Sequence, residues 1–557
     1  MQHRALLLLV ALAALLGVAT PARAADPIMR LSEVRAGMRC TALSVVRGVK
    51  ISSFDVEVLD VVSGDPYAAG PRILVRVSGP AVTPSGVGEG FSGSPIYCPD
   101  GRGGTKNAGA ISETLGDYGN DVVLATPIEQ ILGQGPDAPR SARRDAALLA
   151  RARPLATPLT ISGLSAPMRA RVSRAAERVG RSVLTAPSGP ARGYPVQDLR
   201  PGSAVGVGLS TGDLAIGSIG TVAYRDGPAI WAFGHSQDGV GRRSLPLQDA
   251  YVFSVIDNPV GTKDAKTYKF AVSGHTVGTL SNDFLNGVSG RVGPVPRTIP
   301  FTASIRDQDS GVSRVIHSQI ADERSLELGS SLDMVGTFAL GQGSTQALGA
   351  TPPRVSSSLC LRIVVRERRR PLGFCNRYAN QVSPLADAST AFRLVDAFKF
   401  GRLTPLSVSA RLRLRRGVPE AYILRARAPR RVKRGQRVRI GLDLQNRRAG
   451  RKRVNVFYRV PRSARPGRRV LTLRGAVPRS PEVGFQERLE IALTPEAPGE
   501  GLGPRSVEAL AERIASLRKS RDGLRATISK SGRGPVVLSA SKLLVRGKTR
   551  LPLIVRR

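Results

Sequence analysis

Apolar residues recur at every second position along much of the chain, the period of a strand with one covered face. Phe54, Val56 and Val58 alternate with polar neighbours. Ile73 to Val77 reads as a buried strand, and Val122 to Thr126 closes a first strand-rich block over residues 30–135. The character then changes. RSARRDAALLARARP and MRARVSRAAERVG are rich in Ala and Arg and helical in pattern, so residues 136–192 are expected to form a helical connector. A second strand-rich block follows over residues 193–350. Its clearest element is a hairpin, with Thr221–Tyr224 and Ile230–Phe233 flanking a turn that contains Asp226-Gly227. Further on, Val408, Ala410, Leu412 and Leu414 alternate with Arg411, Arg413 and Arg415, and Val438, Ile440, Leu442 and Leu444 repeat the period. With Val454–Val460 and Val470–Leu473, they make residues 354–557 read as a basic region containing an immunoglobulin-like sandwich. Val507, Leu510, Ile514 and Leu517 follow helical spacing, acidic early and basic late, and predict a short helix near the end.

Composition narrows the class. A chain of 557 residues that is 41% hydrophobic can bury real cores, and 60 Gly and 40 Pro suit short strands and turns better than long helices. Lys and Arg number 83 against 42 Asp and Glu, a formal charge of +41. The basic residues are scattered along strand faces and loops, without aromatic interleaving or a reading module, so nucleic acid is not an expected partner. A solvated Arg-rich surface accounts for the charge; adhesion to anionic cell-envelope polymer or lipid headgroups is the functional alternative.

The first line, MQHRALLLLVALAALLGVATPARAAD, has Arg4, an apolar stretch from Ala5 to Val18 and a small-x-small site at Ala22-Arg23-Ala24. That is the anatomy of a secretory signal peptide over residues 1–24, too short in its apolar part to span about 30 Å of hydrocarbon. A secreted or envelope-associated protein without a transmembrane segment is expected. Export would place Cys40, Cys98, Cys360 and Cys375 in an oxidising compartment, where proximity favours Cys40–Cys98 and Cys360–Cys375 among the possible disulfides. A zinc site lacks CxxC spacing and neighbouring His. No metal or organic cofactor is expected.

One segment carries chemistry: Gly88-Glu89-Gly90-Phe91-Ser92-Gly93-Ser94-Pro95-Ile96. A serine hydroxyl is a weak nucleophile until a base takes its proton, and its tetrahedral intermediate needs N–H donors. A G-x-S-G-x-P loop can present both, with Ser92 as nucleophile and the amides of Gly90 and Ser92 as oxyanion donors. A plain Gly/Ser turn has the same composition. Of the four histidines, His3 leaves with the signal peptide, and His275 and His317 lie among strand residues. His235, in Phe233-Gly234-His235-Ser236-Gln237-Asp238-Gly239, sits where a strand ends in a polar loop and is the expected base.

GFSGSPIY followed by a Gly-rich turn and GAIS resembles the GMSGSPI region of the SpoIVB-type serine peptidases, the sporulation stage IV B family. GTVAYRDGPAIWAFGHSQDGVG is similar to that family's GT(L/V)T(Y/F)…(L/F)GH…D segment. The resemblance covers roughly residues 30–306 and implies a chymotrypsin-like double β-barrel with Ser92 as nucleophile and His235 as base. Three departures stand out: the GH segment follows the serine segment instead of preceding it, Phe91 replaces Met, and no Asp lies shortly upstream of Ser92. A triad is recognised by geometry and not by chain order. Asp283 is the first choice for its acid, with Asp55, Asp238 and Asp249 open. The expected function is a secreted serine endopeptidase acting on an extracytoplasmic protein substrate. A non-catalytic envelope protein that keeps the fold as a binding scaffold is the rival, and an esterase on the same triad is a third reading.

Overall fold

The computed structural model describes residues 25–63, 70–83, 86–115, 121–135, 139, 141–151, 153–155, 158–186, 193–257, 267–323, 331–350, 355–379, 382–417, 420–446, 450–475, 484–494, 503–517, 524–530, 536–538 and 544–557. The signal peptide expected over residues 1–24 lies outside them. The chain is mainly β and divides into two compact units. One comprises residues 1–158, 191–208 and 218–296; the other comprises residues 159–190, 209–217 and 297–557. No helix among the described residues is long and apolar enough to cross a membrane.

In the first unit, β1 (Arg39–Arg47), β2 (Lys50–Ser63), β3 (Arg72–Ser78), β4 (Pro95–Pro99), β5 (Thr105–Thr114) and β6 (Val122–Pro127) form a ring. The strands follow the order β1-β2-β3-β6-β5-β4, and Thr41 and Ala42 of β1 pair with Tyr97 and Ile96 of β4 to close it. The alternation expected in β2 is present: Phe54, Val56 and Val58 are buried while Asp55 and Glu57 are exposed. It breaks after Val58, where the register with β3 shifts before Asp60, as a bulge requires. Apolar residues from all six strands fill one core. Cys40 of β1 and Cys98 of β4 are joined by a disulfide across the closing seam.

The same unit contains most of a second set: β7 (Ala204–Gly212), β8 (Ala215–Asp226), β9 (Ala229–Ala232), β10 (Gly241–Ile256), β11 (Tyr268–Phe284) and β12 (Gly287–Val292). Their order is β7-β8-β9-β12-β11-β10, with β7 pairing both β8 and β10. It is the cyclic order of the first ring. The expected hairpin is β8–β9, with Tyr224 opposite Trp231 and Asp226 opposite Ala229. Gly227 takes a positive φ of 53° in its turn, a conformation glycine adopts without a Cβ penalty.

In the second unit, helices occupy Ala166–Arg178, Leu332–Leu348, Ser383–Asp396, Phe485–Leu493 and Val507–Ala515. Cys360 and Cys375 lie directly opposite one another on paired strands and are disulfide-bonded. The strand bearing Val408, Ala410, Leu412 and Leu414 departs from the sequence expectation. It lies between Thr298–Asp307, to which it is parallel, and Val355–Val365, to which it is antiparallel. A period of two reports a covered face, and it does not say which sheet the strand joins. Downstream, a four-stranded and a five-stranded sheet share one core that includes Ile440, Leu442, Leu471, Leu473 and Leu553.

Candidate active site

The loop between β3 and β4 approaches β4 through a stretch, residues 86–96, that is buried throughout. Two of its glycines are required by geometry. Gly90 and Gly93 have φ of 91° and 90°, where a side chain is strained. A Cβ on Gly93 would also stand 2.0 Å from the Thr221 carbonyl oxygen and 2.6 Å from the Phe233 nitrogen. Only glycine lets this backbone press against β8 and β9.

The amides of the loop alternate. Glu89 N–H donates to Thr267 O at 3.0 Å, Phe91 N–H to Gly88 O at 3.0 Å, Gly93 N–H to Ile111 O at 2.8 Å and Ser94 N–H to Phe91 O at 2.9 Å. Among the described residues, the amides of Gly90 and Ser92 have no hydrogen-bond partner. Buried backbone donors are nearly always paired, so two open ones on either side of Phe91 are unusual. Ser92 is fully buried, and its Oγ likewise has no partner.

His235 follows β9 by way of a strained turn. Phe233 has φ of 71°, one of two non-glycine residues with positive φ among the described residues, and a bulky aromatic seldom adopts it. Its N–H reaches Thr221 O at 3.2 Å, while Thr221 N–H reaches Ser92 O at 2.8 Å. Thr221 thus ties the serine loop to the histidine turn. His235 Nδ1 lies 2.7 Å from the Ser236 carbonyl oxygen. A carbonyl can only accept, so Nδ1 carries the proton and the neutral ring keeps its lone pair on Nε2. Nε2 is buried and has no partner. Burial pushes His235 below the ordinary histidine range; the Ser236 carbonyl, the Leu155 backbone, Glu113 and Asp283 pull the other way without cancelling it. Ser92 Oγ and His235 Nε2 do not hydrogen-bond to one another.

Asp283, near the end of β11, is fully buried. Its carboxylate accepts the amides of Gln237 at 2.8 Å, Asp238 at 2.8 Å and Gly239 at 3.0 Å, and faces Arg243 at 3.4 Å. It holds the turn that follows His235, while the ring's Nδ1 is met by Ser236. Of the other carboxylates, Asp55 is exposed and Asp238 pairs with Arg243 at 2.7 Å. Asp249 is buried, accepting from Tyr194 OH at 2.8 Å and facing His275 Nδ1 at 3.0 Å. His317 is exposed, beside Thr302.

Sequence reasoning missed Lys269. Its ammonium Nζ donates to Ser44 Oγ at 2.7 Å and Thr221 Oγ1 at 3.1 Å and stands 4.4 Å from the centre of the Phe91 ring. Burial alone pushes it down to about 7. A signal was present: Lys269 shares strand parity with the buried Ala271. No group of three or more His, Cys, Asp or Glu among the described residues is arranged to hold a metal ion. Comparisons with protein-family models, curated proteins and solved structures found no match.

Proposed function

We propose that the protein is an extracytoplasmic serine endopeptidase of the SpoIVB type. The observation that carries this reading is the pair of open amides at Gly90 and Ser92, flanking a serine whose own hydroxyl is buried and unpaired. Ser92 Oγ attacks a peptide carbonyl and passes its proton to His235 Nε2, which the Nδ1–Ser236 contact keeps free to accept it. The Gly90 and Ser92 amides receive the developing oxyanion. His235 then protonates the leaving amine, and water releases the acyl group by the same route. Productive attack requires the buried Ser92 and His235 to close to hydrogen-bond distance when substrate enters.

The shared cyclic strand order supports a chymotrypsin-like double barrel, Ser92 preceding the fourth strand of one ring and His235 the fourth strand of the other. We read the two C-terminal sheets as an immunoglobulin-like sandwich whose Arg-rich faces contact anionic envelope polymer. The resemblance over residues 30–306 supplies the substrate class, a protein outside the cytoplasm.

Fluorophosphonate labelling of the processed protein tests the chemistry. Wild type is expected to label, and Ser92→Ala and His235→Ala to lose labelling while remaining folded by circular dichroism. The full burial of Ser92 Oγ favours one second reading, a scaffold that binds without cleaving. Absence of labelling in folded wild type would select it.

A further inference from the structure

We propose that Lys269 is a positioning residue. Together with Ser44, Thr221 and Ser94, it clamps the carbonyls of Gly90 and Phe91 and so aims the Ser92 amide, while its own backbone N–H holds the Glu89 carbonyl and with it the peptide plane of the Gly90 amide. The inference rests on the serine-peptidase reading for its consequence, and on geometry for the clamp itself.

Two carbonyls of the loop are held from below. Thr221 O–H donates to Gly90 O at 3.1 Å, and Ser94 O–H donates to Phe91 O at 2.6 Å. The Phe91 carbonyl belongs to the same peptide plane as the Ser92 amide. Because that plane is rigid, holding the oxygen on one side directs the N–H to the other. Each hydroxyl has a single proton to give. With those of Thr221 and Ser94 committed to carbonyls, the oxygen of Thr221 must be supplied from elsewhere, and Lys269 supplies it. Ser44 Oγ, 2.9 Å from Ser94 Oγ, takes a second lysine N–H at 2.7 Å. The ammonium's remaining face meets the Phe91 ring, a favourable cation–π contact. Lys269 is itself fixed to the loop: its N–H donates to Glu89 O at 2.9 Å, and its stem packs beneath Gly90.

The groups facing the ammonium are hydroxyls from β1 and β8 and the aromatic ring from the loop. No carboxylate offsets the effect of burial on it. Glu89, the acidic residue of the loop, acts on the Tyr268 hydroxyl. A buried positive charge beneath an oxyanion site favours the negative charge that develops there. Loss of the lysine proton should therefore weaken the site at alkaline pH.

The test compares wild type with Lys269→Met, Thr221→Val and Thr221→Ser by two readouts. The first is the rate of fluorophosphonate labelling across pH. The second, independent of activity, is hydrogen exchange over residues 88–94. Lys269→Met and Thr221→Val should raise exchange in that segment selectively and slow labelling by about 10-fold or more, short of the roughly 10²–10³ lost with an oxyanion donor. Thr221→Ser should restore both, and the alkaline fall in wild-type labelling should vanish in Lys269→Met. Unchanged exchange over 88–94 in both disruptive variants overturns the clamp, as does a uniform rise across the barrel. An unlabelled wild type with the selective exchange pattern leaves the clamp standing and rejects the peptidase reading.

Discussion

Asp283 Oδ2 accepts the backbone N–H of Asp238 at 2.8 Å, which fixes the turn after His235 from a residue far along the chain. The same carboxylate serves Gln237, Gly239 and Arg243. Asp283→Ala would leave three amides and a buried guanidinium without it. A loss of about 3–5 kcal/mol is expected, the usual cost of breaking a buried pair. Urea unfolding measures it, and a variant as stable as wild type would remove Asp283 from its anchoring role.

Ser92→Ala should behave differently. The hydroxyl is buried and unpaired, and a buried polar group without a partner carries a desolvation cost of about 1–3 kcal/mol. Its removal is expected to leave stability equal or slightly higher while abolishing labelling. Marked destabilisation in the same unfolding experiment would mean that the hydroxyl is satisfied in solution.

His235 predicts an acid-sensitive fold. Burial lowers its proton affinity, so the unfolded chain binds the proton first as pH falls. The stabilisation is complete above the unfolded value of about 6.5 and is lost as pH falls through the lower folded value. Thermal melts of wild type and His235→Gln from about pH 8 to 5 should show wild type losing its advantage on acidification. A difference between the two that does not vary with pH contradicts this.

Lys269 has the same sign in another window. Its folded value, about 7, lies below the ordinary 10.5. Between those values the unfolded chain holds the proton and the folded chain releases it, so wild-type stability rises with pH. Below about 7 both states are charged and the cost of burying the ammonium is paid in full. The stability of Lys269→Met relative to wild type should therefore fall as pH rises from about 7 to 10.5. Denaturation at the two ends of that range measures it.

Much of the architecture was legible in the chain. Phe54, Val56 and Val58 marked a strand because a half-buried strand must alternate, and the β8–β9 hairpin followed from its turn residues. The two disulfides matched the pairing that proximity favoured. The tight loop that holds Gly90 and Ser92 was legible because its glycine and serine spacing reports a turn. Asp283 was legible as a carboxylate of the histidine block, and its partners were not, since they are backbone amides of residues 237–239.

The sequence by itself determined local periodicity, turn positions, the cysteine inventory and the loop that carries Ser92. Each of these depends on residues close together in the chain. Tertiary structure alone decided that the Val408–Leu414 strand lies beside Thr298–Asp307, that Asp283 reaches the turn after His235, and that Lys269 sits under Gly90 against the hydroxyls of Ser44 and Thr221. Strand pairing within the first unit accounts for the last of these, bringing β1, β8 and β11 to one loop. Burial then sets the charge of a lysine that composition records only as basic.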